Sequence, residues 1–387
     1  MMLRLGSPNE VGMSPQRVAG LANLWRGWVE HRDLQTIVGL VARRGVVVLH
    51  EAFGSLTPEA DSPPATTDAI FPLASITKPI TATAAMILVE EGKLGLHMPV
   101  TWYVPEFTGA GKDAVTPFHL MTHTSGIRDE DADRRAEGMK GTLAMRPPDG
   151  TQHPVLAEDL LYRFGTPLWK APGKEMSYCS FGYNLLGEVI RRVSGMPLGE
   201  FAAQRIFGPL GMKSTSYALP EDWTARAVRQ DPQGGLVVAD TPEHRNTPQP
   251  SGGAWSTAAD MAAFGQMFLN GGEYGGMRIL SPKTVAAMTR NQIPGTAARL
   301  GEEDFPEASW GLGWSVVGPK RAFAETALLS PEAFCHGGAG GVILWVDPKL
   351  ELVAARFICM LPRVPAALLG CCQDLFINSA IAAIVDD

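Results

Sequence analysis

Apolar runs near both ends of the chain predict β-strands. Residues 36–42 and 46–53 are rich in β-branched side chains and are separated by Gly45, which is the pattern of a β-hairpin. Three further strand-like runs lie at residues 310–317, 342–346 and 350–358. Strands at both ends of the sequence indicate one sheet to which the two termini contribute.

Helical periodicity dominates the rest of the sequence. Ser14 occupies the cap position and Pro15 the first helical position of an amphipathic pattern over residues 14–32. Residues 75–91 follow a helical pattern, and Gly92 is suited to end that helix. Further helices are predicted at residues 258–269 and 366–384, with shorter helical patterns between residues 92 and 249.

This order of elements predicts an α+β fold. We expect an antiparallel sheet flanked by terminal helices, with a mostly helical lobe inserted in the middle of the chain. Residues 1–78 and 250–387 are expected to build the sheet lobe, and residues 79–249 the helical lobe. Small-molecule sites favour clefts between lobes, so the active site is expected in the cleft.

Composition narrows the classes of function. The 387 residues are 45% hydrophobic and carry a net charge of −7 without any dense basic run, which argues against a nucleic-acid partner. The sequence contains no apolar run long enough for a membrane span, and residues 1–20 lack the apolar core of a secretory signal. Five cysteines, an odd number that includes adjacent Cys371 and Cys372, do not form a disulfide pattern. We therefore expect a cytoplasmic protein, whose oligomeric state is left open.

Ser75 and Lys78 give the sharpest chemical signal. Their spacing at the start of a predicted helix places both side chains on one face. An amine in an enclosed site can accept the proton of a neighbouring hydroxyl and make it a nucleophile, while the free N–H groups of a helix start favour an oxyanion. Ser-x-x-Lys occurs only here in the chain. Taken alone, so short a pattern more often describes a helix cap followed by a surface lysine.

Two later features strengthen this signal. Tyr178 follows a Pro-Gly turn and precedes a helical pattern over residues 183–193, and a phenol near cations can act as general base and then as acid. His336 precedes a glycine-rich segment, residues 337–341, which leads into a strand. Glycines there let backbone and ligand approach closely, and the Ala339 N–H is suited to bind an oxyanion. Each feature alone is also compatible with a packing tyrosine or a tight turn.

In this order, the motifs resemble those of class C β-lactamases, D-Ala-D-Ala carboxypeptidases and family VIII esterases. The signatures of that family are Ser-x-x-Lys, Tyr-x-Asn or Tyr-x-Ser, and Lys-Thr-Gly or His-x-Gly. The matching pairs are Ser75 with Lys78, Tyr178 with Ser180, and His336 with Gly338. Flanking stretches agree at residues 119–126, 209–212, 256–261 and 311–314, so the resemblance spans residues 36–353. It implies a β-lactamase-like fold that uses no cofactor and no metal.

The resemblance also implies a role for each matched residue. Ser75 would be the acylated nucleophile, Lys78 its proton partner, and Tyr178 the base that also activates the deacylating nucleophile. The backbone N–H groups of Ser75 and Ala339 would form the oxyanion hole. The residues expected against the substrate are Ser180, His336, Gly337, Gly338, Trp255 and Trp310. For Trp255, Trp310 and Trp314, a place in the core is as compatible with the sequence as a place in an acyl pocket.

Two departures from the family pattern favour esters over lactams. Ser180 stands where the family often has Asn, and it has no amide to hold a substrate carbonyl. His336 stands in the position of the Lys, and a histidine is fully charged only below its ordinary pKa of about 6.5. Both changes weaken the case for a dedicated β-lactamase, which binds a carboxylate strongly, and leave ester hydrolysis untouched.

Two other patterns are assigned to structure. His119 and His123 are four residues apart, but neither an adjacent Glu nor a third ligand completes a metal site. Residues 128–140 mix acidic and basic side chains, which fits a solvated loop or helix face better than a lid over a cleft.

The function expected from the sequence is hydrolysis of carboxylic esters through a Ser75 acyl-enzyme. The same residues are compatible with an amidase, a D-aminopeptidase, a carboxypeptidase or a weak β-lactamase, and with acyl transfer to an alcohol or amine. A non-catalytic scaffold that keeps the fold is the alternative from another class. The expected partner is a small ester or amide, with neither nucleic acid nor a membrane span involved.

Overall fold

The computed structural model describes residues 1–31, 33–141, 152–229, 241–300, 303–318, 328–361 and 366–386. The strands are β1 (Arg4–Leu5), β2 (Leu34–Arg43), β3 (Val46–Gly54), β4 (Phe71–Pro72), β5 (Met176–Ser177), β6 (Trp255–Ser256), β7 (Glu273–Tyr274), β8 (Met277–Arg278), β9 (Ala298–Leu300), β10 (Glu303–Phe305), β11 (Ser315–Val316), β12 (Phe334–Gly338), β13 (Val342–Asp347) and β14 (Leu352–Met360).

The α-helices are α1 (Pro15–Glu30), α2 (Thr77–Glu90), α3 (Val100–Tyr103), α4 (Pro117–Met121), α5 (Asp129–Met139), α6 (Pro154–Arg163), α7 (Ser180–Ser194), α8 (Leu198–Ala202), α9 (Gly208–Leu210), α10 (Pro242–Asn246), α11 (Ala258–Leu269), α12 (Pro282–Met288) and α13 (Ala366–Ala382). Short 3₁₀ turns lie at Pro8–Val11, Ala74–Ile76, Lys112–Ala114 and Glu221–Arg226, and a π-helical turn lies at Ala203–Phe207.

Both ends of the chain contribute to one seven-stranded sheet. Its strand order is β1-β3-β2-β14-β13-β12-β11, and every neighbouring pair is antiparallel except β1 with β3. The hairpin predicted from residues 36–53 is formed by β2 and β3. The α+β fold with an antiparallel sheet and terminal helices is therefore confirmed. The proposed lobe boundaries at residues 79 and 249 stay a prediction.

The sheet is buried on both faces. Along β14, Leu352, Ala354 and Ile358 pack in one apolar cluster, whereas Val353 and Ala355 pack in another. This alternation follows from the two-residue period of a strand. Helices α1 and α13 cover the first face, and α11 lies on the second face against β13 and β14.

Stacked aromatic rings join the terminal helices to the sheet. The rings of Trp25 in α1 and Phe376 in α13 are 4.9 Å apart and nearly parallel, and Phe376 also stacks on Trp345 of β13 at 5.5 Å.

Helix α1 begins where the sequence predicts, because the Ser14 side chain accepts a hydrogen bond from the Arg17 N–H.

One predicted strand is largely wrong. Of residues 310–317, only Ser315–Val316 form a strand, and the preceding segment turns back so that Trp310 pairs with Ser315 in an isolated bridge. The physical reason is Gly313, whose φ of 90° lies in the left-handed region that strands do not use. The helix predicted from residue 75 starts as the 3₁₀ turn Ala74–Ile76 and becomes α-helical at Thr77. Within the described residues, no helix combines the length and apolar character required to cross a membrane.

Replacement of glycine by alanine is expected to have opposite effects on stability at Gly39 of β2 and at Gly20 of α1. A side chain at Gly39 of β2 would collide with the ring of Trp25, whereas Gly20 of α1 is exposed and has open space at its Cβ position. Gly39→Ala is expected to lower the free energy of unfolding by about 1–3 kcal/mol through overpacking. Gly20→Ala is expected to raise it by about 0.5–1 kcal/mol through helix propensity. Urea unfolding of the two variants measures both effects, and equal stability of the two would contradict this packing.

Candidate active site

Ser75 lies in a short turn that is held from both sides. The turn Ala74–Ile76 joins β4 to α2, and Ala74 has a left-handed φ of 44°, which is unusual for a residue with a side chain. The N–H of Leu73 donates to the carbonyl of Ala254, 2.8 Å away, and the N–H of Ala254 donates to Thr77 Oγ1 at 3.1 Å. The chain around residue 254 thus fixes the half-buried Ser75 at the start of the helix.

Lys78 points at the Ser75 hydroxyl from one helical turn further on. Its Nζ atom is 2.9 Å from Ser75 Oγ and 2.9 Å from the carbonyl oxygen of Ser251. The side chain is 1% exposed. The nitrogen also lies 4.8 Å from the ring centre of Tyr178 and 5.8 Å from that of Tyr183. Among the described residues, no carboxylate forms an ion pair with Lys78, so its hydrogen bonds go to a hydroxyl and a carbonyl.

Tyr178 lies between two hydrogen bonds made by His123. The carbonyl of His123 accepts the N–H of Ser177 at 2.9 Å, and its Nδ1 accepts the N–H of Cys179 at 3.0 Å. The imidazole ring stacks on the Tyr178 ring with centres 4.3 Å apart. His123 therefore holds the backbone on each side of Tyr178 and one face of its ring.

The His123 ring is held in one neutral form. Burial, together with the nearby Lys78 and His336, lowers the pKa of His123 well below its ordinary value. Because Nδ1 accepts a hydrogen bond from a backbone N–H, the single ring proton is on Nε2. His119, four residues earlier, lies apart from this contact, with its Nδ1 3.0 Å from Thr116 Oγ1. The described residues contain no group of three side chains placed to hold a metal ion.

Asp129 caps the helix that follows Tyr178. Its carboxylate accepts the N–H groups of Ser180 at 2.7 Å and Phe181 at 3.0 Å, and the Cys179 thiol donates to it at 3.3 Å. A carboxylate at a helix start satisfies free N–H groups and the positive end of the helix dipole. The charged segment at residues 128–140 is thus a helix, α5, whose first residue anchors α7.

The glycine-rich segment reaches the Ser75 turn. A side chain at Gly338 would collide with the carbonyl oxygen of Leu73, so only glycine lets β12 lie against that turn. His336 is buried, its Nδ1 donates to the Gly337 carbonyl at 2.8 Å, and its ring centre is 6.3 Å from that of Tyr178. Ala339 follows β12 in an exposed turn. Its role in an oxyanion hole stays a prediction.

The three tryptophans of the sequence prediction lie in different places. Trp310 lies in the aromatic cluster of the site, with its ring centre 5.2 Å from His123 and 6.0 Å from Tyr178. Trp255 packs in a separate apolar cluster with Ile70 and Leu219. Trp314 packs in the main core. The structure thus brings only Trp310 of these three to the candidate site.

Two further residues position Lys78, one directly and one through the other, and neither is among the site residues predicted from the sequence. The carbonyl of Ser251 accepts from Lys78, and the N–H of Ser251 donates to Asn184 Oδ1 at 3.2 Å. Any residue can supply a backbone carbonyl, so the residue type at position 251 does not indicate that this carbonyl binds Lys78.

The assembled groups can support nucleophilic chemistry. A hydroxyl hydrogen-bonded to a buried amine has a partner for its proton, and Tyr178 and His336 lie beside that pair. Among the described side chains, the Tyr178 hydroxyl forms no hydrogen bond with Ser75 or Lys78, so its contact with Lys78 is through the ring face.

Two curated relatives match most of the chain. Protein Rv1367c of Mycobacterium tuberculosis is 31% identical over 343 residues, which cover 81% of this chain and 80% of the relative. A putative D-alanyl-D-alanine carboxypeptidase of Salmonella enteritidis is 27% identical over 420 residues and covers 99% of this chain and 91% of its own length.

Solved structures share the fold. The hydrolase EstCE1, described as having promiscuous acyltransferase activity, superposes with a TM-score of 0.73 at 21% identity, covering 96% of this chain and 99% of that one. A family VIII carboxylesterase superposes with a TM-score of 0.73 at 22% identity, covering 96% and 98%. The sequence model of the beta-lactamase family matches residues 21–360. This chain belongs to the beta-lactamase family.

Proposed function

We propose that this protein is a serine hydrolase that cleaves carboxylic esters through an acyl-enzyme on Ser75. The observation that carries the proposal is the 2.9 Å hydrogen bond between Ser75 Oγ and the buried amine of Lys78. Among the described residues, no carboxylate forms an ion pair with Lys78 and so competes with Ser75 for its nitrogen.

The proposed reaction has two halves. Ser75 Oγ attacks the ester carbonyl carbon while its proton passes to the amine of Lys78, and the N–H groups of Ser75 and Ala339 bind the oxyanion. The oxyanion then collapses, the bond to the alcohol breaks, and the departing alkoxide receives a proton by way of Tyr178. A water molecule next attacks the acyl carbon and gives one proton to the same groups. The bond from the acyl carbon to Ser75 Oγ then breaks, this oxygen takes that proton back, and the acid leaves.

Ester substrates are favoured over lactams and peptides by two residues. Ser180 and His336 stand where related enzymes often carry Asn and Lys. Ser180 lacks the amide that would hold a substrate carbonyl, and His336 is a weaker partner than Lys for a substrate carboxylate. The shared fold of EstCE1 and of the family VIII carboxylesterase is compatible with this choice. Peptide cleavage is the second candidate, because the relative from Salmonella enteritidis is described as a putative D-alanyl-D-alanine carboxypeptidase.

Removal of the Ser75 hydroxyl tests the nucleophile. Ser75→Ala is expected to lower kcat on p-nitrophenyl acetate at least ~10³-fold, because no acyl-enzyme can form. A fluorophosphonate should add to the wild-type Ser75 peptide, as read by mass spectrometry, and should not add to the variant. The unfolding midpoint of the variant provides the control for folding. Near-normal turnover, or label on another residue, would contradict the assignment.

A substrate panel separates the ester reaction from its alternative. We expect kcat/KM on a p-nitrophenyl ester to exceed that on a D-alanyl-D-alanine peptide and on a cephalosporin by at least about tenfold, since the sites for a substrate carboxylate are altered. The three rates are measured with one enzyme preparation, with Ser75→Ala as the background. A peptide rate above the ester rate would favour a carboxypeptidase.

Substitution of His123 tests whether it positions Tyr178. His123→Phe keeps an aromatic face but leaves the buried Cys179 N–H without its acceptor, whereas His123→Asn can restore an acceptor near the position of Nδ1. We expect kcat to fall at least about tenfold in His123→Phe with little change in KM, and to recover for the most part in His123→Asn. Steady-state kinetics on the p-nitrophenyl ester provides both numbers. If His123→Phe keeps the wild-type kcat, or if both variants only lose folded protein, His123 does not position Tyr178.

A further inference from the structure

A cavity of about 290 Å³ is lined by Asn184 and Pro250, which adjoin the residue that binds Lys78, Ser251. Neither Ser75, Lys78 nor Tyr178 is among the residues that line it. Its wall is largely apolar, with Leu156, Leu160, Leu198, Pro248 and Pro250 among its members. The volume is near the lower end of the range for ligand pockets in proteins.

The two buried charged residues of the cavity wall, Glu188 and Arg191, neutralise each other, and the third charged residue, Glu200, is exposed. Glu188 is 3% exposed, and its carboxylate accepts hydrogen bonds from Arg191 at 2.8 Å and from Arg192 at 2.6 Å. Gln152 donates to the same carboxylate at 3.1 Å. A charged ligand would have to disrupt this buried network, which is costly. The wall therefore suits a neutral molecule.

One polar atom of the wall lacks a partner. The Nδ1 atom of His153 is buried, and no described residue forms a hydrogen bond with it. Burial lowers the pKa of His153, so its ring is neutral. Because this atom is closed to solvent in the structure, a ligand with one hydrogen-bonding group would reach it only after the ring turns, and would then supply the partner that buried polar atoms rarely lack.

Two chains of hydrogen bonds link the cavity wall to the helix turn that carries Lys78. Asn184, which lines the cavity, accepts the N–H of Ser251, whose carbonyl holds Lys78. Tyr217, also in the wall, is 2.7 Å from Thr81 Oγ1, one turn beyond Lys78 in α2. Thr81 also donates at 2.7 Å to the carbonyl of Pro250, another residue of the wall. A ligand that moves Asn184 or Pro250 would therefore move the group that holds Lys78.

We propose that this cavity binds a small neutral molecule with an apolar body and a single hydrogen-bonding group, and that its occupancy changes the reactivity of Ser75. The molecule is about the size of a substituted benzene, since an apolar cavity of about 150 Å³ suffices for benzene itself. The binding half of the proposal is independent of catalysis. The kinetic half rests on the proposed ester hydrolysis.

Calorimetric titration of the full chain tests the binding half. The probes are acetophenone, which only accepts hydrogen bonds, and indole, which donates one through its N–H. We expect at least one probe to bind with one-to-one stoichiometry, equally well to wild type and to Ser75→Ala. Binding should weaken at least tenfold in Leu198→Trp, which fills the cavity from α8, and should be unchanged in the matched control Leu5→Trp on the exposed strand β1. Ala218→Leu fills the cavity by a smaller amount and replaces Leu198→Trp if that variant does not fold. Absence of binding by both probes, or undiminished binding to the filled variant, would overturn the proposal.

Kinetics with p-nitrophenyl acetate tests the coupling to Ser75. A saturating probe is expected to change kcat at least twofold with KM nearly constant, and Leu198→Trp should remove that response. Competitive inhibition would mean that the probe occupies the active site, and binding without any change in kcat would mean that the cavity is not coupled to Lys78. Either result overturns the kinetic half. Because titration of Ser75→Ala requires no activity, a failure of the proposed hydrolase function would leave the binding result interpretable.

Discussion

The hydrogen bond from Lys78 to Ser75 is the interaction on which the rest of the site depends. A buried amine without a carboxylate partner is costly, because burial removes the water that would solvate its charged form. Here the nitrogen has one carbonyl, one hydroxyl and two aromatic faces as neighbours. These neighbours hold the amine in place without taking the position of Ser75. An aspartate in the place of the Ser251 carbonyl would solvate the amine better and would compete with Ser75 for its nitrogen.

Such an arrangement requires rigid surroundings. The Ser75 turn is fixed by the chain at residues 254 and 255, and the close approach of β12 depends on the missing side chain of Gly338. Tyr178 is fixed on its other side by His123 and by the Asp129 cap of α7. Segments far apart in the sequence thus meet through hydrogen bonds, several of which join a backbone N–H to a side-chain acceptor.

The sequence predicts the elements whose signals are local. The β2–β3 hairpin, helix α1 with its Ser14 cap and helix α11 lie where periodicity and capping residues place them. The spacing of Ser75 and Lys78 is local as well, and the structure brings the two side chains together. The strand expected at residues 310–317 is wrong for most of its length, because the spacing of apolar residues contains no sign of the left-handed backbone at Gly313.

Other parts of the site carry no local signal. Asp129 lies in a charged segment typical of a solvated helix, yet it caps a helix fifty residues further on. The Ser251 carbonyl could come from any residue type. Trp255 and Trp310 have the same sequence signal, and only their packing separates a core residue from a neighbour of Tyr178. Sequence alone therefore predicts the contact between Ser75 and Lys78 better than it predicts the residues that hold this pair.

This division between reacting and holding groups bears on how one family accommodates different reactions. In the proposed reaction the hydroxyl, amine and phenol form and break an acyl-enzyme, but they do not determine which acyl group enters or whether water or an alcohol removes it. We expect those choices to depend on the walls of the site, such as Ser180, His336 and Trp310. The residues that hold Lys78 in place contribute as well. Substitutions in the walls can change the substrate while the Lys78–Ser75 contact is retained. Two solved structures of the same fold are described as carboxylesterase and as hydrolase with acyltransferase activity, and one relative as putative carboxypeptidase. In this chain the walls, rather than the shared reacting groups, must therefore determine the natural substrate.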